Sequence, residues 1–210
     1  MGDGPELWLV RHAESTGNRD GILQGQDERP LSERGRKQAQ RLGGRLLGVP
    51  FVAAYASDLE RARDTAAIAL ADRLPVRCEA GLREMDAGSW TGLTAVEIRD
   101  RHPQDWAAWE RHRDPDLRRG GGESYRMAQT RMTEALAAVV RRHPQGPVLV
   151  VTHGGVLRAW VCGILGLDLR HCWRLQFDNT GVTRVRPEQA VGPGLAGRVV
   201  CINDLGHLEA

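Results

Sequence analysis

The sequence has little net charge and almost no lysine. Its 210 residues carry 29 basic and 27 acidic side chains, which leaves a formal net charge of +2. So small an excess gives no bulk attraction to nucleic acid or to an anionic membrane. Lys37 is the only lysine, so 28 of the 29 basic residues are arginine. Arginine suits bidentate binding of phosphate or carboxylate, although the composition of an arginine-rich genome would explain the same count.

Paired cysteines and long apolar runs are also absent. The four cysteines are Cys78, Cys162, Cys172 and Cys201, and no two have the spacing of a zinc ribbon or a thioredoxin-type redox pair. We expect Cys78, Cys162 and Cys201 to be small core residues, in a reducing cytoplasmic compartment. No apolar run approaches the ~20 residues that span a bilayer. Residues 1–5 are polar and acidic, so we expect no signal peptide.

Apolar runs typical of strands alternate with helical patterns along the chain. The strand-like runs are residues 7–10, 51–55, 75–78, 147–151, 182–185 and 198–202. The helical patterns are residues 32–46, 58–71, 123–143 and 156–165, and a hairpin loop is expected at 187–197. This alternation predicts one α/β domain over residues 1–210 with a mostly parallel sheet. Residues 90–122 hold three tryptophans and many charges, which predicts a helical lid within that domain.

Two of the predicted strands end in a histidine. Arg11 and His12 follow the first strand, and His153 follows the strongest one. In parallel sheets, ligands bind outside the carboxyl ends of the strands. Gly154 and Gly155 then open a helix, whose first N–H groups form an anion site. Taken alone, each histidine is more often a solvated strand end, and a glycine pair also serves tight turns.

A third strand-to-helix junction, at residues 57–66, is polar as well. Arg61 lies in the first turn of the predicted helix, where a cation opposes the helix dipole. This arginine is therefore electrostatically misplaced unless an anion lies close to it.

Five sequence blocks occur in an order that is typical of one family. The first block is LVRHAES at residues 9–15, with Asn18, Gln24 and Gly25, followed by PLSERG at 30–35. The others are SDLERARDTA at 57–66, LREMDAGSWTG at 82–92, GGES at 121–124 and VTHGGV at 151–156. Together they resemble the histidine phosphatase superfamily, also called the phosphoglycerate mutase-like superfamily. One departure is Ala13, where glycine is commoner in that family.

The resemblance implies a three-layer α/β/α fold and a role for each site residue. His12 would be the nucleophile that forms a phosphohistidine, and Glu84 would be the proton donor and then the base. The groups implied to surround or bind the phosphoryl group are Arg11, Arg61, His153, Asn18, Gln24, Gly25 and Gly154. No metal ion or cofactor is implied, because fixed positive donors take its place. Outside its block, Glu84 would be interpreted as a surface glutamate paired with Arg83.

Phosphatases and mutases of this family share the phosphate pocket. Cofactor-dependent mutases carry a longer segment after the acid glutamate, with Tyr-Gly and Gly-Leu-Asn-Lys patterns. Here MDAGSWTGLT follows Glu84, and those patterns are absent. The resemblance therefore implies a metal-independent phosphomonoester hydrolase for a small phosphorylated metabolite. Its branch includes broad-specificity, α-ribazole and glucosyl-3-phosphoglycerate phosphatases, and a phosphoglycerate mutase is the alternative.

The sequence leaves open the roles of several other residues and the oligomeric state. Ser124 is expected to cap the long helix, and substrate contact by Glu123 or Ser124 is the less favoured interpretation. Trp106 and Trp109 share one helix face, which favours lid packing over a platform for an aromatic or sugar substrate. Dimers are common for this fold, and no sequence feature decides whether the chain forms one.

The arginines of the lid segment have two interpretations. This cluster comprises Arg111, Arg113, Arg118 and Arg119, and it could select a second anionic group on the substrate. A nucleic-acid site is disfavoured because Asp114 and Asp116 interrupt the cluster and no binding motif accompanies it. A zinc hydrolase is disfavoured because His12 and His153 lack ligands at recognised spacings. An inactive scaffold is disfavoured because the implied nucleophile, arginine and acid are all present.

Overall fold

A six-stranded sheet forms the centre of the computed structural model, which describes residues 4–188 and 196–209. Its strands are β1 (Pro5–Arg11), β2 (Ala53–Ala56), β3 (Val76–Cys78), β4 (Gly146–Thr152), β5 (Val182–Glu188) and β6 (Ala196–Asp204). The strand order is β3-β2-β4-β1-β5-β6. The first four strands in that order are parallel, and β5 and β6 add antiparallel pairs at one edge. The predicted mostly parallel sheet is confirmed.

Four α-helices of the described residues agree closely with the helical patterns, two more lie in the segment expected to be helical at 90–122, and the short first helix was not predicted. The helices are α1 (Thr16–Arg19), α2 (Glu33–Arg45), α3 (Glu60–Leu70), α4 (Ala95–Arg101), α5 (Pro103–His112), α6 (Tyr125–Arg142) and α7 (Gly154–Ile164). Ser32 caps α2 by accepting a hydrogen bond from the Gly35 N–H, and Ser124 caps α6 in the same way from Met127. The predicted cap at Ser124 is therefore confirmed.

The helices cover both faces of the sheet. Successive side chains of β1 and β4 point to opposite faces, so two separate cores form. Trp8, Val10, Leu149 and Val151 pack with the apolar sides of α2 and α3. On the other face, the buried side chains of the same strands pack with α6 and α7. The three-layer α/β/α fold is confirmed, and continuous apolar runs are what strands buried on both faces require.

Some local predictions were wrong or incomplete. Cys78 is exposed rather than buried, because β3 is an edge strand with no neighbour on its outer side. The predicted loop at 187–197 is shorter at both ends, since Pro187 pairs with Gly197 and Glu188 with Ala196. Its centre, residues 189–195, lies outside the described residues. In the described part of the chain, no helix is long and apolar enough to cross a membrane.

The segment at 90–122 contains α4 and α5 and ends in a 3-10 turn at 119–121. That turn packs against a second 3-10 turn at 88–90. Gly88 and Gly120 both have positive φ, and a Cβ on either would overlap backbone atoms of the other turn. The two glycines therefore allow a close backbone approach that brings this segment beside residue 84.

Candidate active site

The two histidines lie side by side at the carboxyl edge of the sheet. β1 and β4 are parallel neighbours, and Arg11 is paired with Thr152. The next residues, His12 and His153, are therefore adjacent, with ring centroids 5.0 Å apart. Both are buried, with 3% and 0% of their surface exposed. The strand ends thus bring two residues 141 positions apart into one site.

The His12 ring has a defined tautomer. Its Nδ1 lies 2.7 Å from the carbonyl oxygen of Ala13. A carbonyl oxygen only accepts hydrogen bonds, so Nδ1 holds the proton and donates it. The other ring nitrogen, Nε2, then presents a lone pair. This is the form of histidine that attacks an electrophile.

Burial keeps both rings neutral. Desolvation holds the pKa of His12 well below its ordinary value, and the charges of Arg61 and Arg11 lower this pKa further. The pKa of His153 is lowered well below its ordinary value by the same causes. Neither ring nitrogen of His153 has a hydrogen-bond partner among the described residues. His153 is therefore a buried polar group whose partner would come from a bound ligand.

Two arginines converge beside His12. Arg61 is 1% exposed, and its guanidinium donates to the carbonyl oxygens of Gly25 at 2.7 Å and Asp27 at 2.8 Å. Arg11 donates to the carbonyl oxygen of Phe177 at 2.7 Å. Burial lowers the pKa of both guanidinium groups, which nevertheless stay charged.

The sequence predicts an anion close to Arg61, but in the structure the close partners of its guanidinium are two backbone carbonyl oxygens. No carboxylate of the described residues is within ion-pair distance of Arg11 or Arg61, so both arginines retain positive charge for a ligand.

The polar residues of the first block surround the same point. Asn18 and Gln24 both bind the hydroxyl of Ser15, which caps α1 and lies 2.7 Å from Gln24 Oε1. Asn179 donates to the His12 carbonyl oxygen at 2.8 Å and to Asn18 Oδ1 at 3.3 Å. The Asn18 oxygen is thus occupied, which leaves its amide N–H groups as donors. Sequence reasoning did not identify Asn179, because no motif marks it.

Glu84 occupies the N-terminus of α7. Its carboxylate accepts the N–H groups of Gly155 at 3.0 Å, Val156 at 3.1 Å and Met85 at 2.9 Å. The sequence predicted an anion at this helix terminus, and the anion present is a side chain of the protein. A Cβ at Gly155 would lie 2.6 Å from Glu84 Oε1, so glycine is needed there. Gly154 lines the cavity beside Arg11.

A half-buried arginine holds the backbone around Glu84. Arg131 donates to the carbonyl oxygens of Gly81 at 2.8 Å and Arg83 at 3.0 Å. It also forms an ion pair of 2.7 Å with Glu123, which does not line the cavity. Arg83 pairs with Asp58 rather than with Glu84, so the carboxylate of Glu84 is left facing the cavity.

These groups line one end of a cavity of about 380 Å³. We call it the phosphate end, comprising Arg11, His12, Asn18, Gln24, Gly25, Arg61, Glu84 and Gly154. A second part of the lining, which we call the aromatic end, comprises Trp90, Trp106, Trp109, Tyr125 and Trp173. Ring centroids of Trp106, Trp109, Trp173 and Tyr125 follow one another at 4.9–5.3 Å, and the Trp90 ring lies 6.1 Å from Trp106 and 6.3 Å from Trp109. Trp106 and Trp109 therefore pack together and also face the cavity.

The lid arginines separate into different environments. Arg119 lines the cavity, whereas Arg118 donates to the Gly122 carbonyl oxygen at 2.7 Å and lies outside it. Arg113 lies over the rings of Trp109 and Trp173. Arg111 is exposed. Arg158 also lines the cavity, although its position in an ordinary helical pattern carries no signal that sequence reasoning could use.

A separate observation concerns metals. Within residues 4–188 and 196–209, no three His, Cys, Asp or Glu side chains come together as a candidate metal-binding group.

The chain is similar in sequence to known proteins of one family. The sequence profile of the histidine phosphatase superfamily (branch 1) matches residues 7–192. Phosphoserine phosphatase 1 of Hydrogenobacter thermophilus is 36% identical over 208 residues, covering 98% of this chain and 97% of that protein. Adenosylcobalamin/alpha-ribazole phosphatase of Escherichia coli is 33% identical over 177 residues, covering 82% and 85%.

Other similar proteins include a probable mutase and a phosphatase of known structure. The protein described as probable phosphoglycerate mutase GpmB of Klebsiella pneumoniae is 33% identical over 208 residues, covering 98% of this chain and 95% of that protein. The solved structure of mycobacterial glucosyl-3-phosphoglycerate phosphatase with VO3 has a TM-score of 0.84 and 29% identity. That alignment covers 94% of this chain and 98% of the solved chain.

Proposed function

The chain belongs to the histidine phosphatase superfamily, and from this premise we propose that it hydrolyses small phosphomonoesters at the phosphate end of its cavity. The observation that supports this most directly is the His12 ring. Its Nδ1 donates to a backbone carbonyl, which frees Nε2 beside the buried Arg61 and the half-buried Arg11. A neutral nucleophile surrounded by fixed positive charge suits attack on a phosphate ester.

In the first step, His12 Nε2 attacks phosphorus and the ester P–O bond breaks. The three equatorial oxygens of the phosphoryl group remain negative during transfer. Arg11 and Arg61 lie beside this position and would stabilise that charge, with His153 and Asn18 as neutral donors. Glu84, in the protonated form that the reaction requires at this point, gives its proton to the leaving oxygen. The carboxylate that results is stabilised by the N–H groups at the N-terminus of α7.

In the second step, water attacks the phosphohistidine. Glu84 takes a proton from that water, the N–P bond breaks, and His12 recovers its lone pair. Inorganic phosphate and an alcohol are the net products. The charge that a metal ion would otherwise supply comes from the guanidinium groups.

Hydrolysis is favoured over mutase chemistry by the names of the four relatives described above, three of which are phosphatases and one a probable mutase. The compact segment after Glu84 supports the same choice, because it lacks the Tyr-Gly and Gly-Leu-Asn-Lys patterns of the cofactor-dependent mutases. We propose that a small phosphorylated metabolite fills the cavity, and that residues 1–210 act as one cytoplasmic domain with the segment at 90–122 as a wall of its site. Phosphoserine, the substrate named for one relative, is a first compound to test.

The test is hydrolysis of p-nitrophenyl phosphate with EDTA, from about pH 4.5 to about pH 8. The native protein should release phosphate, and His12→Ala should not. Because the pKa of His12 lies well below its ordinary value, the native activity should persist below pH 6.5 rather than fall with protonation of that ring. Failure to hydrolyse any ester, together with isomerisation of 3-phosphoglycerate in the presence of its bisphosphate primer, would establish the mutase instead.

A further inference from the structure

Arg119 is a buried cation that the proposed chemistry does not use. Only 9% of its surface is exposed, and it lines the same cavity as His12. Its guanidinium contacts the sulfur of Met85 at 3.3 Å, and its Nε has no hydrogen-bond partner among the described residues. Burying an unpaired charge is costly, so such a group is expected to have an anionic partner in the working protein.

A second arginine completes the arrangement. The guanidinium of Arg119 lies 4.8 Å from the centre of the Tyr125 ring, and Arg158 lies 5.1 Å from the centre of the Trp173 ring. The two rings are edge to face, 5.0 Å apart. Cation–π contacts of this kind hold a guanidinium in place without using its hydrogen-bond donors. Arg158 Nε donates to the Leu175 carbonyl oxygen at 3.0 Å, which leaves its two terminal nitrogens, together with Arg119 Nε, as donors for a ligand between the two arginines.

Electrostatics place this pair close to the phosphate end. The charge of Arg158 lowers the pKa of Arg11. The charges of Arg119 and Arg158 both act against the rise that burial causes in the pKa of Tyr125. Arg158 thus lies within electrostatic range of both Arg11 and Tyr125. Arg11, Arg119 and Arg158 all line the same cavity of about 380 Å³, a volume that suits a small molecule.

The protein itself does not neutralise these arginines. Glu84 is the only acidic residue among the described residues that line the cavity. The nearby acids Glu123 and Asp116 are already paired with Arg131 and Arg126. A phosphoryl group bound to Arg11 and Arg61 would leave Arg119 and Arg158 without a counter-charge.

We propose that Arg119 and Arg158 bind a second anionic group on the leaving-group side of the substrate, with a carboxylate as the favoured group. This inference rests on the phosphatase function proposed above. A guanidinium pairs with a planar carboxylate through two parallel hydrogen bonds, and stacking on an aromatic ring fixes the plane of that fork. The preferred substrates are therefore phosphomonoesters that also carry a carboxylate a few bonds from the ester oxygen.

The test compares substrates that differ only in this group. 3-Phosphoglycerate has a carboxylate where glycerol 3-phosphate has a hydroxymethyl group. The native protein should prefer 3-phosphoglycerate by about 10- to 100-fold in kcat/KM, the range for a charge-assisted hydrogen-bonded pair. Arg119→Gln should reduce this preference to within about threefold of unity, and Arg119→Lys, which retains charge without the fork, should give an intermediate value.

Arg118→Gln is the matched control. Arg118 neighbours Arg119 in the same turn but lies outside the cavity, so its substitution should leave the preference unchanged. Thermal unfolding of each variant confirms that the fold is retained. An equal loss of preference in Arg118→Gln and Arg119→Gln would overturn the proposal, as would a native protein that does not distinguish the two esters.

A second pair of substrates and a binding measurement complete the test. Fructose 1,6-bisphosphate against fructose 6-phosphate tests whether the second anion is a phosphate, and a preference there that depends on Arg119 would assign the pair to phosphate instead of carboxylate. Calorimetric binding of the two glycerol-based esters to His12→Ala needs no turnover. If the native protein hydrolysed nothing, the proposed function would fail, while the ratio of dissociation constants would still support or overturn the subsite.

Discussion

The phosphate end and the aromatic end of the cavity are built in different ways. At the phosphate end, the three main reacting or charged side chains are held by backbone groups: His12 by a carbonyl oxygen, Arg61 by two, and Glu84 by N–H groups that include those of a helix. At the aromatic end, neighbouring rings contact one another with centroids 4.9–6.3 Å apart. The first arrangement fixes side-chain positions through the backbone. The second depends on side-chain packing, which substitutions can alter more freely.

We infer from this difference that the phosphate end carries out the reaction and that the aromatic end selects the substrate. The backbone that holds the phosphate end belongs to the residue after His12, to loop residues 25, 27 and 177, and to the first turn of α7, so a change there disturbs the reacting atoms. The aromatic end comes from residues 90–125 and from the 3-10 helix at 169–174. In the proposed function, the aromatic end faces the leaving group of the ester. Substitutions at the two ends should therefore change different kinetic quantities.

The largest expected effect is the loss of the nucleophile. His12→Ala should lower kcat for p-nitrophenyl phosphate by about 10⁴-fold or more, because the reaction then lacks its covalent step. The comparison is Trp106→Leu at the aromatic end, for which kcat should change by less than about tenfold. Steady-state kinetics with both purified variants measures this contrast. Similar losses of kcat in the two variants would contradict the separation of the two ends.

Glu84→Gln should have the next largest effect, and one that depends on the leaving group. An alkyl phosphate needs a proton on its leaving oxygen, so its hydrolysis should slow by about 10²- to 10⁴-fold. Phosphoryl transfer from p-nitrophenyl phosphate should slow much less, because p-nitrophenolate leaves without a proton. Rapid-mixing measurement of the first turnover distinguishes the two. An equal loss for both esters would assign Glu84 a role other than proton donation.

A smaller effect is expected from one methyl group beside Glu84. In Gly155→Ala, the new Cβ would lie 2.6 Å from Glu84 Oε1 and displace the carboxylate. The kcat for alkyl phosphates should fall by about 10- to 100-fold, as for other small displacements of a catalytic group. Gly44→Ala in α2 is the control, because its Cβ would meet nothing within 4 Å. Wild-type kinetics in Gly155→Ala would show that the position of Glu84 is not critical.

A further expected effect is on the stability of the fold and not on the reaction, and it depends on pH. The folded state holds His12 and His153 neutral with pKa values well below the ordinary one, while the unfolded chain takes up protons near pH 6.5. Their contribution is thus fully present above pH 6.5 and is lost as the pH falls below it, by up to about 1.4 kcal/mol per pH unit for each ring. The aromatic end adds no such dependence, because burial raises the pKa of Tyr125.

Urea unfolding at about pH 7 and about pH 5 measures this slope. His153→Gln removes one of these two rings, so the loss of unfolding free energy between these pH values should be smaller than in the native protein, by up to about 1.4 kcal/mol per pH unit. An unchanged slope would mean that His153 is not held neutral in the folded protein.

The two ends of the cavity also differ in how much of each could be predicted from the sequence. His12 and His153 are predictable because strand ends in a parallel sheet converge at one edge, and a strand pattern is visible in a single sequence. Arg61 is predictable from its unfavourable place in a helix. Glu84 lies in an irregular segment without periodicity, so only the family resemblance identified it.

Most residues of the aromatic end could not be predicted from the sequence. Tyr125 and Trp173 are 48 positions apart, and no local pattern predicts that their rings meet. Arg119 and Arg118 are adjacent and chemically identical, yet only Arg119 enters the cavity. The difference arises from the turn at 119–121, in which Gly120 adopts positive φ. Side-chain direction in an irregular turn depends on the packed structure around it.

The covalent intermediate provides the most direct test of the central claim. Glu84→Gln would be mixed with radiolabelled p-nitrophenyl phosphate and quenched in alkali, which preserves phosphohistidine. The label should appear with the first turnover, persist because water is no longer activated, and map by peptide analysis to His12. It should be absent from the double variant that also carries His12→Ala. Label on another residue, or label that persists without His12, would contradict the phosphohistidine mechanism.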